Sequence, residues 1–327
     1  MAKLFENTGK NYTIIKDCDF CTEMASIEKT LSEYVNHGYF ETFDGNKMEY
    51  EFYKVAHPRA NLVISHGFTE FIEKYCEMIW YFLHEGYNVY LLSHRGHGDS
   101  YRIFDDYQLT HIDSFYDYVE DFTAFIDKIF LPNADPGIPN CIFSHSMGGP
   151  VAAIYLSKHH DIFSRVIFSA PMVCPITAGI PRVITKMFTR SAIRKHGPTS
   201  PFKYSTPFTA TPPIDPDPCL SRERFVYYLD KRINNSKYQN AVPTNSWLYE
   251  ACSVQPKVLK CAPKITANCL LLLAEVDKVV LTKPQLKFFK RIQNAKMVTL
   301  KHTRHSILTL RTDIFETYLN EVFDFLP

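Results

Sequence analysis

The sequence predicts an α/β fold, in which a mostly parallel, doubly wound sheet is interrupted by a helical cap insertion. Short, almost continuously apolar runs alternate with longer stretches of helical period, and one late interval rich in proline breaks this alternation. Runs that are apolar throughout are typical of parallel strands covered on both faces. Hydrophobic residues make up 46% of the 327 residues, which is enough for a sizeable core.

Six apolar runs are predicted as buried strands: 60–65, 87–93, 141–144, 166–170, 269–274 and 296–300. Apolar residues spaced by three and four predict the helices between and after them: 70–85, 115–130, 149–160, 283–292 and 312–326. Because strands and helices alternate, a doubly wound sheet is favoured. The segments 39–42 and 49–54 flank Asp44-Gly45 and predict an antiparallel hairpin that opens the sheet.

The alternation fails between about residues 172 and 267. Seven prolines lie in the 22 residues from Pro198 to Cys219, and they exclude a regular element there. A long irregular insertion in a compact domain is typical of a functional lid. We therefore predict an N-terminal extension (1–38), a catalytic core (39–171 and 268–327) and a cap segment (172–267).

Charge and cysteine content narrow the classes of partner and cofactor. Lys and Arg total 36 and Asp and Glu total 35, which gives no reason to expect nucleic acid as a partner. Nine cysteines, an odd number, predict reduced thiols in a cytosol. Cys18 and Cys21 form a lone C-x-x-C, and incidental thiols are favoured over a zinc or redox site because no second pair accompanies them. We expect no metal and no cofactor.

The start of the sequence has no apolar h-region and no small-residue cleavage site, and no stretch approaches the roughly 20 apolar residues of a membrane span. We therefore expect a cytoplasmic protein. Peripheral contact with the inner face of a membrane is an additional expectation, which depends on the cap segment.

The segment 141–149 has the pattern of a nucleophile elbow, in which an apolar strand ends in Ser144-His145-Ser146-Met147-Gly148 and a helix follows. The turn is so sharp that the positions two before and two after the nucleophile must be small. The usual pattern, G-x-S-x-G, has Ser144 in place of its first glycine here, and the residue remains small. Ser146 is therefore the candidate nucleophile, and a buried turn serine is the alternative.

Two backbone groups are placed to stabilise an oxyanion. The first long strand ends in His66-Gly67, and an N–H just after such a glycine is one candidate donor. The N–H of Met147, directly after the candidate nucleophile, is the other. An ordinary turn glycine is the alternative interpretation of Gly67.

An acid and a base follow the last two predicted strands. Asp277 lies just past the strand 269–274, and His305 lies in the loop after the strand 296–300. The order Ser146, Asp277, His305 is the order of α/β-hydrolases. A histidine is needed to take the serine proton, and a carboxylate to orient the imidazole. Glu275 remains an alternative acid and His302 an alternative base; His66, His94, His97 and His145 are predicted to be hydrogen-bonded loop residues.

In combination these motifs resemble the lysophospholipase L2 and monoacylglycerol lipase group of α/β-hydrolases. The resembling segments are 66–70 with Lys74-Tyr75, 93–100, 144–149, 272–280 and 303–308, together with 220–225, 242–244 and 247–251 of the cap segment. The resemblance runs from about Tyr39 to Leu326. Two positions depart from the group: Ser144 replaces the first elbow glycine, and Ser93 stands where the group usually has aspartate.

The resemblance implies roles for single residues. Ser146 would be the nucleophile, Asp277 the orienting acid and His305 the base, while Phe68 and Met147 would donate the oxyanion N–H groups. It also implies hydrolysis of a single-chain acyl ester, a lysophospholipid or a monoacylglycerol, with no metal and no cofactor. A short-acyl esterase or an acyltransferase is the first alternative, and a non-catalytic binding protein with a hydrolase fold is the second.

The cap segment contains a basic stretch. No acidic residue lies between Asp161 and Asp215, and within 181–196 the residues Arg182, Lys186, Arg190 and Arg194 recur every four positions. This spacing places them along one helix face, beside apolar Val183, Ile184, Met187, Phe188 and Ile193. One interpretation is a cap helix packed on the core with a solvated basic side. The other is an interfacial helix that draws the cap segment to anionic lipid.

Overall fold

The computed structural model describes residues 12–177 and 179–327. Its strands are β1 (Asn36–Glu41), β2 (Lys47–Tyr53), β3 (Ala60–Ser65), β4 (Tyr87–Leu92), β5 (Leu109–Thr110), β6 (Asn140–His145), β7 (Arg165–Ser169), β8 (Val242–Pro243), β9 (Asn268–Val276) and β10 (Ala295–Arg304). Eight of them form one sheet in the order β1-β2-β4-β3-β6-β7-β9-β10. Strands β1, β2 and β4 pair antiparallel, and all other neighbours in this sheet pair parallel. The predicted doubly wound sheet with an opening hairpin is confirmed.

The helices are α1 (Phe20–Tyr34), α2 (Cys76–His84), α3 (Phe115–Phe125), α4 (Leu131–Asn133), α5 (Gly148–Leu156), α6 (Arg182–His196), α7 (Arg222–Asn234), α8 (Asn245–Cys261), α9 (Thr282–Phe289) and α10 (Thr312–Phe325). The five helices predicted from apolar spacing are present, with two differences. The helix predicted at 115–130 is α-helical only to Phe125 and continues as a π-helix over Ile126–Phe130. The helix predicted at 70–85 begins with a 3₁₀ turn over Ile72–Tyr75 and is α-helical over Cys76–His84.

Two apolar layers cover the two faces of the sheet. In β3, for example, Val63 belongs to the layer beneath α3, α5 and α8, whereas Leu62 and Ile64 belong to the layer beneath α1, α2 and α10. All six residues of β3 are buried, as are all six of β4. This two-sided burial explains why the central strands are apolar throughout.

The predicted cap segment contributes α6, α7 and α8 between β7 and β9. Of the described residues, those from 202 to 219 form neither a helix nor a strand, in agreement with their proline content. The short strand β8 pairs with β5 and so joins this segment to the loop after β4. The boundaries of the extension, core and cap stay predictions, and residues 1–11 of the extension lie outside the described residues.

Arg224 on α7 ties the cap segment to the core. Its side chain is fully buried, and it forms ion pairs with Glu77 on α2 and with Asp17 before α1. It also donates to the hydroxyl of Thr312 at the start of α10 and lies against the rings of Phe20 and Phe315. A buried charge needs such partners to offset the loss of its hydration. The first turn of α7 is therefore fixed to α2, to the segment before α1 and to the start of α10.

Candidate active site

Three loops that leave the carboxyl ends of parallel strands meet at one edge of the sheet. Ser146 follows β6, Asp277 follows β9, and His305 follows β10. Open α/β sheets place their sites at this edge, because consecutive loops converge there. The residues predicted from separate stretches of sequence are thus brought together.

The turn at Ser146 is strained in the way a nucleophile elbow requires. Ser146 has φ of 49°, in the left-handed region that few non-glycine residues adopt. A Cβ atom added at Gly148 would lie 2.0 Å from the carbonyl oxygen of Ser65, so only glycine fits there. Ser144 is accommodated because its buried hydroxyl donates to the carbonyl of Ile167 on β7 at 2.8 Å. The departure from the usual pattern therefore leaves the elbow intact.

Ser146, His305 and Asp277 form a continuous hydrogen-bonded chain. His305 Nε2 lies 2.9 Å from Ser146 Oγ, and His305 Nδ1 lies 2.8 Å from Asp277 Oδ2. The other carboxylate oxygen of Asp277 accepts the N–H groups of Val279 and Val280, each at 2.8 Å. Asp277 is thus held on both sides, and its orientation fixes the imidazole.

The charges of this chain favour a neutral imidazole beside an ionised carboxylate. Burial lowers the pKa of His305 below its ordinary value, although the hydrogen bond to Asp277 acts in the opposite direction. Burial alone would raise the pKa of Asp277, but the bond from His305 and the two backbone N–H groups hold it below its ordinary value. A neutral histidine next to a serine hydroxyl is able to accept its proton.

The alternative acid and base lie elsewhere. Glu275 and His302 are exposed, and the Glu275 carboxylate accepts the backbone N–H of His302 at 2.7 Å. They bond to each other at the surface, and neither occupies the chain that ends at Ser146. Geometry therefore favours Asp277 and His305 over these neighbours.

Each predicted oxyanion donor directly follows a residue at the elbow: Met147 follows Ser146, and Phe68 follows Gly67. Gly67 packs against the site so closely that an added Cβ would lie 3.1 Å from Ser146 Cβ. Within the part of the chain that the structure describes, neither the Phe68 N–H nor the Met147 N–H donates to another protein group. Both are free to bind a ligand oxygen.

Glu70 organises the turn that carries Phe68. Its Oε2 accepts the Gly67 N–H and the Tyr75 hydroxyl, each at 2.6 Å, and lies 3.1 Å from His145 Nδ1. Burial alone would raise the pKa of Glu70, but His145, Lys74 and these hydrogen bonds hold it well below its ordinary value.

The same network reaches the base. His145 Nε2 lies 2.9 Å from the carbonyl oxygen of His305, so one imidazole links the turn at Glu70 to the loop of His305. The role of Glu70 and His145 was not predicted from the sequence. Both residues lie in segments that carry the family resemblance, 66–70 and 144–149. The contact between Glu70 and His145, however, is created only by the fold.

The other histidines near the site are hydrogen-bonded loop residues, as predicted. His66, His94 and His97 are all buried. The centroid of the His66 ring lies 4.6 Å from that of His94 and 5.2 Å from that of His97. Burial lowers the pKa of His66 to about 4 and the pKa values of His94 and His97 well below the ordinary range. These rings are neutral supports of the turns around Phe68.

The cap segment closes over the serine. The indole of Trp247 on α8 lies on the ring of Phe68, with centroids 4.1 Å apart and planes tilted by 32°. Ser146 is only 6% exposed. The structure therefore shows the site in a closed arrangement.

Helix α6 is oriented with its apolar side outward. Thr185 and Thr189 are its buried residues, whereas Val183, Met187 and Phe188 are 61%, 68% and 63% exposed. The interpretation in which the apolar face packs on the core is therefore wrong. The reason is that α6 packs on α8 through small hydroxyl side chains, which leaves the larger apolar ones on the surface.

The four basic residues of α6 do not share one environment. The Arg182 guanidinium donates to the carbonyl of Cys252 at 2.9 Å, and the Lys186 ammonium lies 5.0 Å from the Tyr249 ring centroid, both on α8. Arg190 and Arg194 are exposed. The expectation of one continuous row of four basic residues on a free helix face is thus wrong, since Arg182 and Lys186 contact α8.

No group of three or more His, Cys, Asp or Glu side chains within 12–177 and 179–327 is arranged to hold a metal ion. In the same described ranges, no helix is both long and apolar enough to cross a membrane.

Comparison with known proteins finds relatives among hydrolases. The profile of the family described as serine aminopeptidase, S33 matches residues 56–310. Lysophospholipase L2 of Escherichia coli (strain K12) is 25% identical over 281 residues, covering 84% of this chain and 82% of the relative. Monoacylglycerol lipase of Mycolicibacterium smegmatis is 29% identical over 136 residues, covering 40% and 46%.

The fold is shared with solved structures. A soluble variant of monoglyceride lipase from Saccharomyces cerevisiae, in complex with a substrate analog, superposes with a TM-score of 0.70 at 20% identity and covers 88% of this chain and 93% of that one. At 20% identity, this structural similarity establishes that the two proteins share the α/β-hydrolase fold. Since the family profile spans most of the sequence, the chain belongs to the serine aminopeptidase S33 family of α/β-hydrolases and is a serine hydrolase.

Proposed function

We propose that this protein hydrolyses single-chain acyl esters, lysophospholipids or monoacylglycerols, through an acyl-enzyme on Ser146. The observation that carries the proposal is the chain from Ser146 Oγ through His305 to Asp277, with links of 2.9 Å and 2.8 Å. The same chain makes a non-catalytic binding protein with this fold the poorer alternative, because all three reacting groups are retained in hydrogen-bonding contact.

In the first half-reaction, Ser146 Oγ attacks the ester carbonyl carbon while its proton moves to His305 Nε2. The carbonyl oxygen becomes an oxyanion and accepts the N–H groups of Phe68 and Met147. Donors of this kind act mainly on the transition state, and loss of one costs roughly 10²- to 10³-fold in rate. Asp277 stabilises the imidazolium that forms.

The first half-reaction ends when this oxyanion collapses, His305 gives its proton to the leaving alcohol oxygen, and the alcohol departs to leave the acyl-enzyme. The second half-reaction hydrolyses this ester. Water then enters, gives a proton to His305 Nε2 and attacks the acyl carbon of the Ser146 ester. This second oxyanion collapses and releases the carboxylic acid, while His305 Nε2 returns its proton to Ser146 Oγ and restores the hydroxyl. The cycle uses only groups of the chain, the ester and water.

The single-chain substrate class is supported by the surroundings of Phe68 and by the relatives. The Phe68 ring packs on an apolar cluster that includes Met147, Met172 and Trp247, which suits an acyl chain. The relatives named lysophospholipase L2 and monoacylglycerol lipase point to substrates with one acyl chain. In this proposal the lipid reaches Ser146, which is 6% exposed, beneath the predicted cap segment.

A short-acyl esterase or an acyltransferase is the alternative, since both use the same acyl-enzyme and differ in pocket length and in the acceptor of the acyl group. The decisive experiment is a hydrolysis panel of glycerol and phospho head groups with acyl chains from 2 to about 16 carbons. We expect kcat/KM to rise with chain length on single-chain lipids. A maximum at acetyl esters, or transfer to an added alcohol in preference to water, would favour the alternative.

The serine assignment is tested separately. Ser146→Ala should abolish both hydrolysis and labelling by a fluorophosphonate probe. Ser144→Ala is the matched control, because it removes a neighbouring hydroxyl that bonds only to the Ile167 carbonyl and should keep labelling. Labelling that persists in Ser146→Ala would contradict the assignment.

We also propose that α6 brings the enzyme into peripheral contact with anionic membrane surface. Val183, Met187 and Phe188 are more than 60% exposed, and their transfer into an acyl layer contributes about 1–2 kcal/mol each. Arg190 and Arg194 lie exposed on the same helix and add about 1 kcal/mol each near anionic lipid. The location we propose is the cytoplasm, at the inner face of a membrane, where free thiols persist.

Membrane contact is tested by co-sedimentation with anionic and with zwitterionic vesicles. Met187→Ser/Phe188→Ser should reduce binding to both, whereas Arg190→Gln/Arg194→Gln should reduce binding to anionic vesicles only. Val226→Ser/Ile233→Ser on α7, both 43% exposed, is a matched apolar control and should bind as wild type. Equal binding by all variants would contradict the role of α6.

A further inference from the structure

The backbone at the oxyanion turn is held in an unusual conformation. Thr69, next to the predicted donor Phe68, has φ of 65°, in the left-handed region. This conformation is unfavourable for a β-branched residue, and it persists only where the surroundings impose it. The direction of the Phe68 N–H therefore depends on the contacts that hold the turn.

His97 supplies one of these contacts from the loop after β4. Its Nε2 accepts the Thr69 N–H at 3.2 Å, and its Nδ1 donates to the carbonyl of Arg95 at 3.1 Å. Its ring also meets the ring of Phe68 edge-on, with centroids 5.8 Å apart. Because one nitrogen must accept and the other donate, these partners require the neutral tautomer with the proton on Nδ1. Burial lowers the pKa of His97 well below its ordinary range, which keeps the acceptor available.

Trp247 supplies the other contact from the opposite side. Its indole covers the Phe68 ring at 4.1 Å, and its Nε1–H donates to the Tyr118 hydroxyl on α3 at 2.9 Å. Trp247 lies in the first turn of α8, which is capped by the Thr244 hydroxyl. A residue of the cap segment thus packs on the side chain of Phe68, the predicted oxyanion donor.

We propose that His97 and Trp247 are positioning residues that fix the Phe68 N–H for the oxyanion, so that the oxyanion hole is complete only when α8 of the cap segment is docked. The proposal rests on the proposed function, since it requires Phe68 to be an oxyanion donor. Neither residue touches the ester. Each acts through Phe68, His97 from the core and Trp247 from the cap segment.

The test for His97 compares two amide side chains, one that keeps the hydrogen-bond acceptor for the Thr69 N–H and one that loses it. In His97→Gln the longer side chain brings an amide oxygen near the position of Nε2 and keeps an acceptor for the Thr69 N–H. In His97→Asn the amide occupies the position of Nδ1, which keeps the donor to Arg95 and loses that acceptor. The measurements are kcat, KM and the affinity of a trifluoromethyl ketone with the same acyl chain, which binds Ser146 as an oxyanion.

We expect His97→Asn to lower kcat and ketone affinity together by about 10- to 100-fold, with KM changed less than about twofold, because a misplaced donor affects only the oxyanion. His97→Gln should recover most of both losses. Equal losses in Gln and Asn, or wild-type ketone affinity in Asn, would overturn the proposal. A purely structural role would change expression and unfolding without separating ketone affinity from KM.

The test for Trp247 stands on its own if His97→Asn does not fold. Trp247→Leu should lower ketone affinity and kcat in the same way, and Trp247→Phe should retain part of both. Trp80→Leu is the matched control, because Trp80 on α2 meets the His84 ring edge-on at 4.6 Å and packs on the apolar layer of the opposite sheet face from that of Phe68. Unchanged ketone affinity in Trp247→Leu would overturn the proposal.

The outcomes separate this proposal from the proposed function. If Ser146→Ala still hydrolyses esters, the proposed function fails. If Ser146→Ala is inactive while His97→Asn and Trp247→Leu bind the ketone as wild type does, the function stands and the positioning role of the two residues fails.

Discussion

Replacement of Asp277 by asparagine isolates the orienting role of one carboxylate. Its Oδ1 accepts two backbone N–H groups, from Val279 and Val280, and its Oδ2 faces His305 Nδ1 at 2.8 Å. In Asp277→Asn the amide oxygen has to remain opposite the two N–H groups, because the amide nitrogen carries no acceptor for them. The NH₂ group is therefore directed at His305 Nδ1.

This arrangement forces the wrong tautomer. His305 Nδ1 becomes an acceptor, its proton moves to Nε2, and Nε2 is no longer able to take the proton of Ser146. We expect kcat to fall about 10⁴-fold at neutral pH, which corresponds to about 5.5 kcal/mol of lost transition-state stabilisation. KM should change little, because Asp277 lies behind the imidazole.

The assay is single-turnover hydrolysis of a monoacyl ester, with unfolding measured in parallel to show that the fold is retained. Glu275→Gln is the matched control, and it should lose less than about twofold because the exposed Glu275 carboxylate accepts the backbone N–H of His302, outside the chain that ends at Ser146. The reasoning is refuted if Asp277→Asn retains more than a tenth of the wild-type rate, or if Glu275→Gln is the more damaging change.

Three further outcomes are expected. His305 must be neutral to act as the base, and burial lowers its pKa. A plot of log(kcat/KM) against pH should therefore rise with a slope of one, and kcat/KM should reach half its plateau below about pH 6.5. A rising limb centred above pH 7 would contradict this. Gly148→Ala places a methyl group 2.0 Å from the Ser65 carbonyl oxygen and should cut activity by at least about 10²-fold. Gly137→Ala, which has nothing within 4 Å but a φ of 81°, should lower stability and keep activity. Arg224→Met leaves the Glu77 charge buried without its partner and should lower the free energy of unfolding, measured in urea, by about 3–5 kcal/mol. Adding Glu77→Leu should restore most of that loss. A loss under about 1 kcal/mol in Arg224→Met would argue against a buried ion pair.

Most of the fold and the central chain of the site follow from local sequence patterns. Continuous apolar runs identify the strands, and Ser146, Asp277 and His305 each come just after such a run. Parallel strands place their carboxyl ends at one edge, so proximity in space follows from position relative to a strand. The sequence already favours His305 over His302, and the 2.9 Å distance from His305 Nε2 to Ser146 Oγ supports that preference.

Other features depend on packing between distant segments and leave no local signal. The outward apolar face of α6 is one, because periodicity alone does not say which side of a helix is covered. The contact of Trp247 with Phe68 is another, since it joins an insertion to a turn more than a hundred residues away. The link from Glu70 through His145 to His305 likewise appears only once three loops are assembled.

The elbow shows that the two glycines of the pattern G-x-S-x-G serve unequal purposes. The second position faces a backbone oxygen of another strand, where no side chain fits, whereas the first faces the Ile167 carbonyl, which takes up a hydroxyl. A search that demands glycine at both positions therefore passes over chains like this one. A pattern that keeps the second glycine and admits serine at the first would retain them, and among the chains it recovers a polar residue at the first position should be small and able to donate a hydrogen bond.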